Sequence, residues 1–81
     1  LSMDVERQRA AIERVLESIR PYLRKDNGDI ELVEVGEDGI ADVRFLGECA
    51  RCSLSIMTLR AGVEKAILSQ VEGIRRIEAV P

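Results

Sequence analysis

The stretch Ile30-Glu31-Leu32-Val33-Glu34-Val35-Gly36-Glu37-Asp38-Gly39-Ile40-Ala41-Asp42-Val43-Arg44-Phe45-Leu46 decides the fold. Apolar and polar side chains alternate on both sides of a Gly-Glu-Asp-Gly centre, which is the signature of two short strands joined by a hairpin turn. Ile30 to Val35 forms the first strand, with Ile30, Leu32 and Glu34 on one face and Glu31, Val33 and Val35 on the other. Ile40 to Leu46 forms the second, with Ile40, Asp42, Arg44 and Leu46 alternating against Ala41, Val43 and Phe45. The two pair antiparallel. Val33, Val35 and Val43 are expected on the sheet face away from the helices, where an apolar surface would invite a partner.

Upstream, Asp4 to Leu23 carries a helical period. Val5, Ala11, Ile12, Val15, Leu16, Ile19 and Leu23 form one stripe, and Asp4 is the expected N-cap. Pro21 lacks an N–H and disfavours helix at Arg20, so a kink or an end is expected there. Asp26-Asn27-Gly28-Asp29 reads as the exit turn. Downstream, Ser53 or Ser55 caps a second helix running to about Gln70, with Ile56, Leu59, Val63, Ile67 and Val71 buried and Ala66 beside them. Gly62 inside it costs roughly 1 kcal/mol against alanine, which points to a close contact. Gly73 ends the helix, and Ile74 to Val80 is the last strand. If that strand lies parallel to the second, a right-handed crossover joins them. The expected architecture is α+β: helix-strand-strand-helix-strand, two layers, a three-stranded mixed sheet and both helices on one face. No linker or repeat divides the chain, so residues 1–81 are read as one domain, with 1–3 as a tail.

Composition removes several function classes. Only Tyr22 and Phe45 are aromatic, too few for a base-stacking platform, and the formal net charge of −3 comes without a basic stripe, so nucleic acid is not an expected partner. No apolar run is long enough to span a bilayer, and no secretory signal is visible. The chain has no histidine, so Ser53, Ser55 and Thr58 have no such base to activate them and read as helix-start residues. Asp26, Asp29 and Glu31 read as a solvated turn. No catalytic constellation is present, and the chain is not expected to be an enzyme.

The chemistry lies in Cys49-Ala50-Arg51-Cys52, which holds both cysteines of the chain. So short a loop gains little from a structural disulfide, and two sulfurs at this spacing suit a metal or a reversible disulfide. The helix start and Arg51 are expected to lower the thiol pKa and favour the thiolate. Iron–sulfur clusters and structural zinc both take four ligands, whereas one chain supplies two thiolates. A two-fold pair of chains completes the set, in an exposed site that releases its contents easily. The alternative is a thiol-disulfide oxidoreductase of thioredoxin type, against which the small number of elements and the absence of a proline after the motif, other than Pro81, both speak. A third reading is an interaction module in which the two cysteines do nothing.

Gly47-Glu48-Cys49-Ala50-Arg51-Cys52-Ser53-Leu54-Ser55-Ile56-Met57-Thr58-Leu59-Arg60-Ala61-Gly62-Val63-Glu64 resembles the signature of the NifU-like C-terminal domain, or Nfu domain. Ile19 to Val33 is similar to that family's helix-to-strand segment, and Val71 to Val80 to its last strand. The resemblance implies a scaffold or carrier that binds a labile iron–sulfur cluster, [4Fe-4S] in preference to [2Fe-2S], and passes it to apo-proteins. It implies Cys49 and Cys52 as the ligands, a homodimer in the cluster-loaded state and an upstream cluster donor. It also implies a cytoplasmic setting in a bacterium, or a mitochondrion or plastid in a eukaryote. The family usually has glycine at positions 27 and 51 and proline at 53, where this chain has Asn27, Arg51 and Ser53.

Overall fold

The computed structural model describes residues 2–50 and 53–81, the side chains at 2–4, 50 and 53–56 excepted. Helix α1 spans Ser2–Arg24, strand β1 Gly28–Val35 and strand β2 Ile40–Gly47. A single 3-10 turn, Glu48–Ala50, precedes helix α2, Ser53–Gln70, and strand β3 is Arg76–Ala79. The sheet order is β1-β2-β3, antiparallel between the first two and parallel between the last two. This is the expected α+β arrangement of two helices and a mixed three-stranded sheet.

Helix α1 forms because its apolar side chains recur on one stripe. Ile12, Val15, Leu16 and Leu23 are buried, and Val5, Ala11 and Ile19 pack partly against them. The helix neither stops nor caps where expected. It starts at Ser2 rather than after Asp4, and it runs through Pro21 to Arg24. Pro21 is on the exposed side, where water can serve the carbonyl that loses its partner, and buried Leu23 anchors the last turn.

β1 departs from simple alternation. Ile30 pairs with Phe45 and Leu32 with Val43, but Glu34 pairs with Asp42, so Val33 is an extra residue in a bulge. An inserted residue rephases every side chain after it. Val35 therefore joins Ile30 on the core side, 5% exposed, while Val33 turns to solvent. Val43 is likewise fully buried, because β2 gives its Ala41-Val43-Phe45 face to the core. The expectation of Val33, Val35 and Val43 sharing an outer apolar surface is thus corrected. Glu31 paired to Arg44 across the strands, with Glu34, Asp42 and Glu78, makes the outer face a charged one.

Val63, Ile67 and Val71 of α2 and the following turn are buried, with Leu59 and Ala66 partly so, while the side chain of Ile56 lies outside the described residues. Gly62 has no neighbour within 4 Å of the place a Cβ would take, so the close contact expected of it is absent among the described residues. β3 is shorter than Ile74 to Val80, but Arg75 N–H bonds to Gly39 O at 2.7 Å and Val80 N–H to Val43 O at 2.8 Å, extending the pairing beyond it. At the hairpin, Gly39 takes φ 87°, a conformation that disfavours other residues.

Both sheet edges are closed by arginines from the helices. Arg20 of α1 donates Nε–H to Ile30 O of β1 at 3.2 Å and pairs with Glu17. Arg60 of α2 donates to Ile77 O of β3 at 2.9 Å, and Glu64 accepts the Ile77 N–H at 2.9 Å. These side chains take the backbone groups that a free edge would offer to another strand.

Candidate functional site

The site is the end of the β1–β2 ladder away from the hairpin. The backbone at Asn27 takes φ 61°, which asparagine tolerates, so the left-handed turn forms here without a glycine. Its N–H bonds to Arg24 O at 3.1 Å, closing α1, and its carbonyl accepts Glu48 N–H at 3.0 Å. Gly28 then opens β1 directly across from Gly47, which has φ 64°. A Cβ on Gly47 would collide with Asn27 O, so two glycine-bearing segments cross at van der Waals distance there. The 3-10 turn Glu48–Ala50 folds back over this crossing and delivers Cys49 onto β1.

Cys49 is 6% exposed and has no disulfide partner among the described residues. Its sulfur lies against Gly28 and receives the Asp29 backbone N–H. Burial pushes the thiol pKa up, the nearby Asp26 carboxylate pushes it further, and the Asp29 N–H only partly opposes them. The lowering expected of the helix start is therefore corrected for Cys49, while the part expected of Arg51 lies outside the described residues. Desolvation of the thiolate and two carboxylates outweigh the hydrogen bond from the Asp29 N–H. Cys52 and Arg51 lie outside the described residues, as do the side chains of Ser53 and Ser55. Among the described residues, no three His, Cys, Asp or Glu side chains converge as a metal site.

Asp29 has a structural part. Its Oδ1 accepts the Ile30 N–H at 2.8 Å, and Oδ2 pairs with Arg24 at 3.2 Å. The Ile30 N–H and the two arginines nearby hold its carboxyl below the ordinary aspartate range against some desolvation. The Asp26–Asp29 segment thus belongs to the floor of the cysteine loop rather than to a solvated turn alone. Sequence reasoning passed over Gly28, because Asn-Gly reads as a turn dipeptide. The signal available was the pair Gly28 and Gly47 flanking the hairpin at nearly equal distances.

Towards a membrane, no helix among the described residues is long and apolar enough to cross one.

Comparison with known proteins places this geometry. The chain is 37% identical over 70 residues to NifU-like protein 2, chloroplastic, of Arabidopsis thaliana, covering 86% of this chain and 29% of that protein. It is 46% identical over 63 residues to the Fe/S biogenesis protein NfuA of Shewanella pealeana, covering 76% of this chain and 33% of that protein. NifU-like protein 1, chloroplastic, of Oryza sativa subsp. japonica is 30% identical over 69 residues, 85% of this chain and 30% of its own. The chain spans about a third of the length of these curated relatives. The family match, to the NifU-like domain, runs over residues 12–78 and takes in α1 from Ile12, both hairpin strands, the cysteine loop, α2 and most of β3. This chain belongs to the NifU-like domain family.

Proposed function

We propose that this chain takes part in iron–sulfur cluster biogenesis as a carrier, binding a labile cluster through Cys49 and Cys52 and passing it to apo-proteins. The observation that carries this reading is the C-x-x-C pair at a strand-to-helix junction of a NifU-like domain, in a chain with two cysteines and no histidine. Two thiolates leave a cluster half-ligated, so a second copy supplies the other two and the loaded form is a homodimer. The cluster is cargo, [4Fe-4S] in preference to [2Fe-2S], and a site shared between chains releases it when the pair separates. Donor proteins upstream and apo iron–sulfur proteins downstream are the partners. The chain's role is binding and hand-over rather than catalysis. Relatives named as chloroplastic and a bacterial relative named for Fe/S biogenesis fit either a plastid or a bacterial cytoplasm.

The surface around the loop suits the approach of a second copy. Met57, just over one turn into α2, is 71% exposed, and Ala61 and Gly62 are exposed beyond it. The oxidoreductase alternative is less well supported. A thiol that attacks disulfides needs a pKa near ambient, whereas burial moves that of Cys49 the other way.

Anaerobic reconstitution with iron and sulfide tests the proposal. About four irons per two chains, a brown visible absorption and a mass of two chains are expected. Cys49→Ser or Cys52→Ser alone abolishes all three. A full cluster retained by either single variant, or a colourless monomer from the unaltered chain, overturns the carrier reading.

A further inference from the structure

Gly28 is buried at the first position of β1. Its backbone is not among the left-handed positions of the described residues, which are Asn27, Gly39, Gly47 and Gly73. Any L-residue can adopt such a conformation, so neither a turn nor a positive φ accounts for a glycine here. The sulfur of Cys49 does. A Cβ built on Gly28 would overlap Cys49 Sγ and would lie 3.1 Å from Cys49 Cβ and 3.2 Å from its N. The thiol fills the volume that a side chain at position 28 would take. Around it the seat is closed by the Asp29 N–H on the sulfur and by the Glu48 N–H to Asn27 O bond of 3.0 Å, which ties the cysteine turn down.

We propose that Gly28 is a positioning residue for Cys49: its missing side chain forms a seat that holds the sulfur inside the cluster-free chain, and the sulfur leaves the seat to reach a shared cluster. The second half rests on Cys49 being a cluster ligand, whereas the first half is a property of the cluster-free chain alone. A seated thiol is withheld from solvent electrophiles. Loading then begins with a movement of the 3-10 turn, and the ease of that movement sets how readily the chain accepts cargo.

The test uses the Cys52→Ser chain, in which Cys49 is the sole thiol, and follows alkylation by iodoacetamide at one fixed pH. Folded Cys49 is expected to react about tenfold or more slowly than in urea, because reaction requires local opening. Adding Gly28→Ala evicts the sulfur, and the rate rises at least about fivefold towards the urea value while circular dichroism stays folded. A folded Gly28→Ala variant that alkylates no faster than its parent overturns the proposal, as does a parent that reacts as fast folded as unfolded. Where Gly28→Ala does not fold, Gly28→Ala/Cys49→Ala decides. Removing the sulfur leaves only the tight contacts to Cβ and N of residue 49, at 3.1 and 3.2 Å, so the double variant folds with a urea midpoint nearer to that of Cys49→Ala than to that of Gly28→Ala. A double variant as unstable as Gly28→Ala alone overturns the seat. Reconstitution of the unaltered chain separates the two readings. Protection lost in Gly28→Ala without any cluster in the unaltered chain upholds the seat and removes the carrier. A cluster bound by a chain whose Cys49 was never protected does the reverse.

Discussion

Replacing Gly62 with alanine is expected to stabilise the cluster-free chain. Gly62 lies in the interior of α2, eight residues from its last residue, Gln70, and is exposed. Its φ is not positive, so alanine fits the backbone, and beyond the adjacent helix backbone no described atom lies within 4 Å of the new methyl. Steric cost is therefore absent, and the gain is the lower conformational entropy of the unfolded chain plus the helix preference, about 1 kcal/mol. For a domain of this size that moves the midpoint of thermal unfolding upward by about 4–8 °C. With a urea dependence of about 1 kcal/mol per molar, the urea midpoint rises by up to about 1 M. Circular dichroism at 222 nm, about the usual helix wavelength, reads both transitions on the reduced, cluster-free monomer. An unchanged or lowered midpoint would refute the reasoning, because it would mean that the position packs against something in the monomer after all. The same variant in the reconstituted protein reports on the outer face of α2. A methyl that stabilises the monomer but weakens the loaded dimer locates the second copy beside Gly62.

Two further expectations concern the sheet edge and the thiol. Arg60→Ala removes the donor to Ile77 O and the nearer of two arginine partners of Glu78, lowering stability by about 1–2 kcal/mol and leaving β3 open to strand addition. Urea titration and light scattering on concentrated protein check this, and an unchanged midpoint with no added scattering counts against the edge-closing role. Cys49 holds its proton more tightly folded than unfolded, so its contribution to stability is complete below the ordinary thiol pKa and is lost as pH rises through the raised folded value. The urea midpoint of the unaltered chain should therefore fall on the alkaline side more steeply than that of Cys49→Ala. Parallel curves for the two proteins would show that burial of the thiol carries no such linkage.

Much of this protein could be read along the chain. The stripe from Val5 to Leu23, the alternation around Gly36 to Gly39 and the second stripe from Leu59 to Val71 each report a local period, and local periods survive folding because the core must be apolar on one side. The cysteine pair stands out in the sequence for a different reason, since two thiols and no histidine leave few chemistries for one short loop. Other features depended on distant parts of the chain. The helix passes Pro21 because Leu23 is gripped by the core, a contact that backbone preference alone does not contain.

The bulge at Val33 is the clearest case. Carried back from Val35 opposite Ala41 without a bulge, the register would set Gly28 opposite Glu48 and Ile30 opposite Leu46. The one-residue slip instead sets Gly28 against Gly47 and Ile30 against Phe45, and so brings the cysteine turn down onto a glycine. Sequence alone determined the elements, the apolar stripes and the two thiols, because each is encoded within a few neighbouring residues. Only the tertiary structure decided which faces meet and that the Cys49 sulfur is buried beside two carboxylates, because register and desolvation arise from segments some twenty residues apart closing on one another.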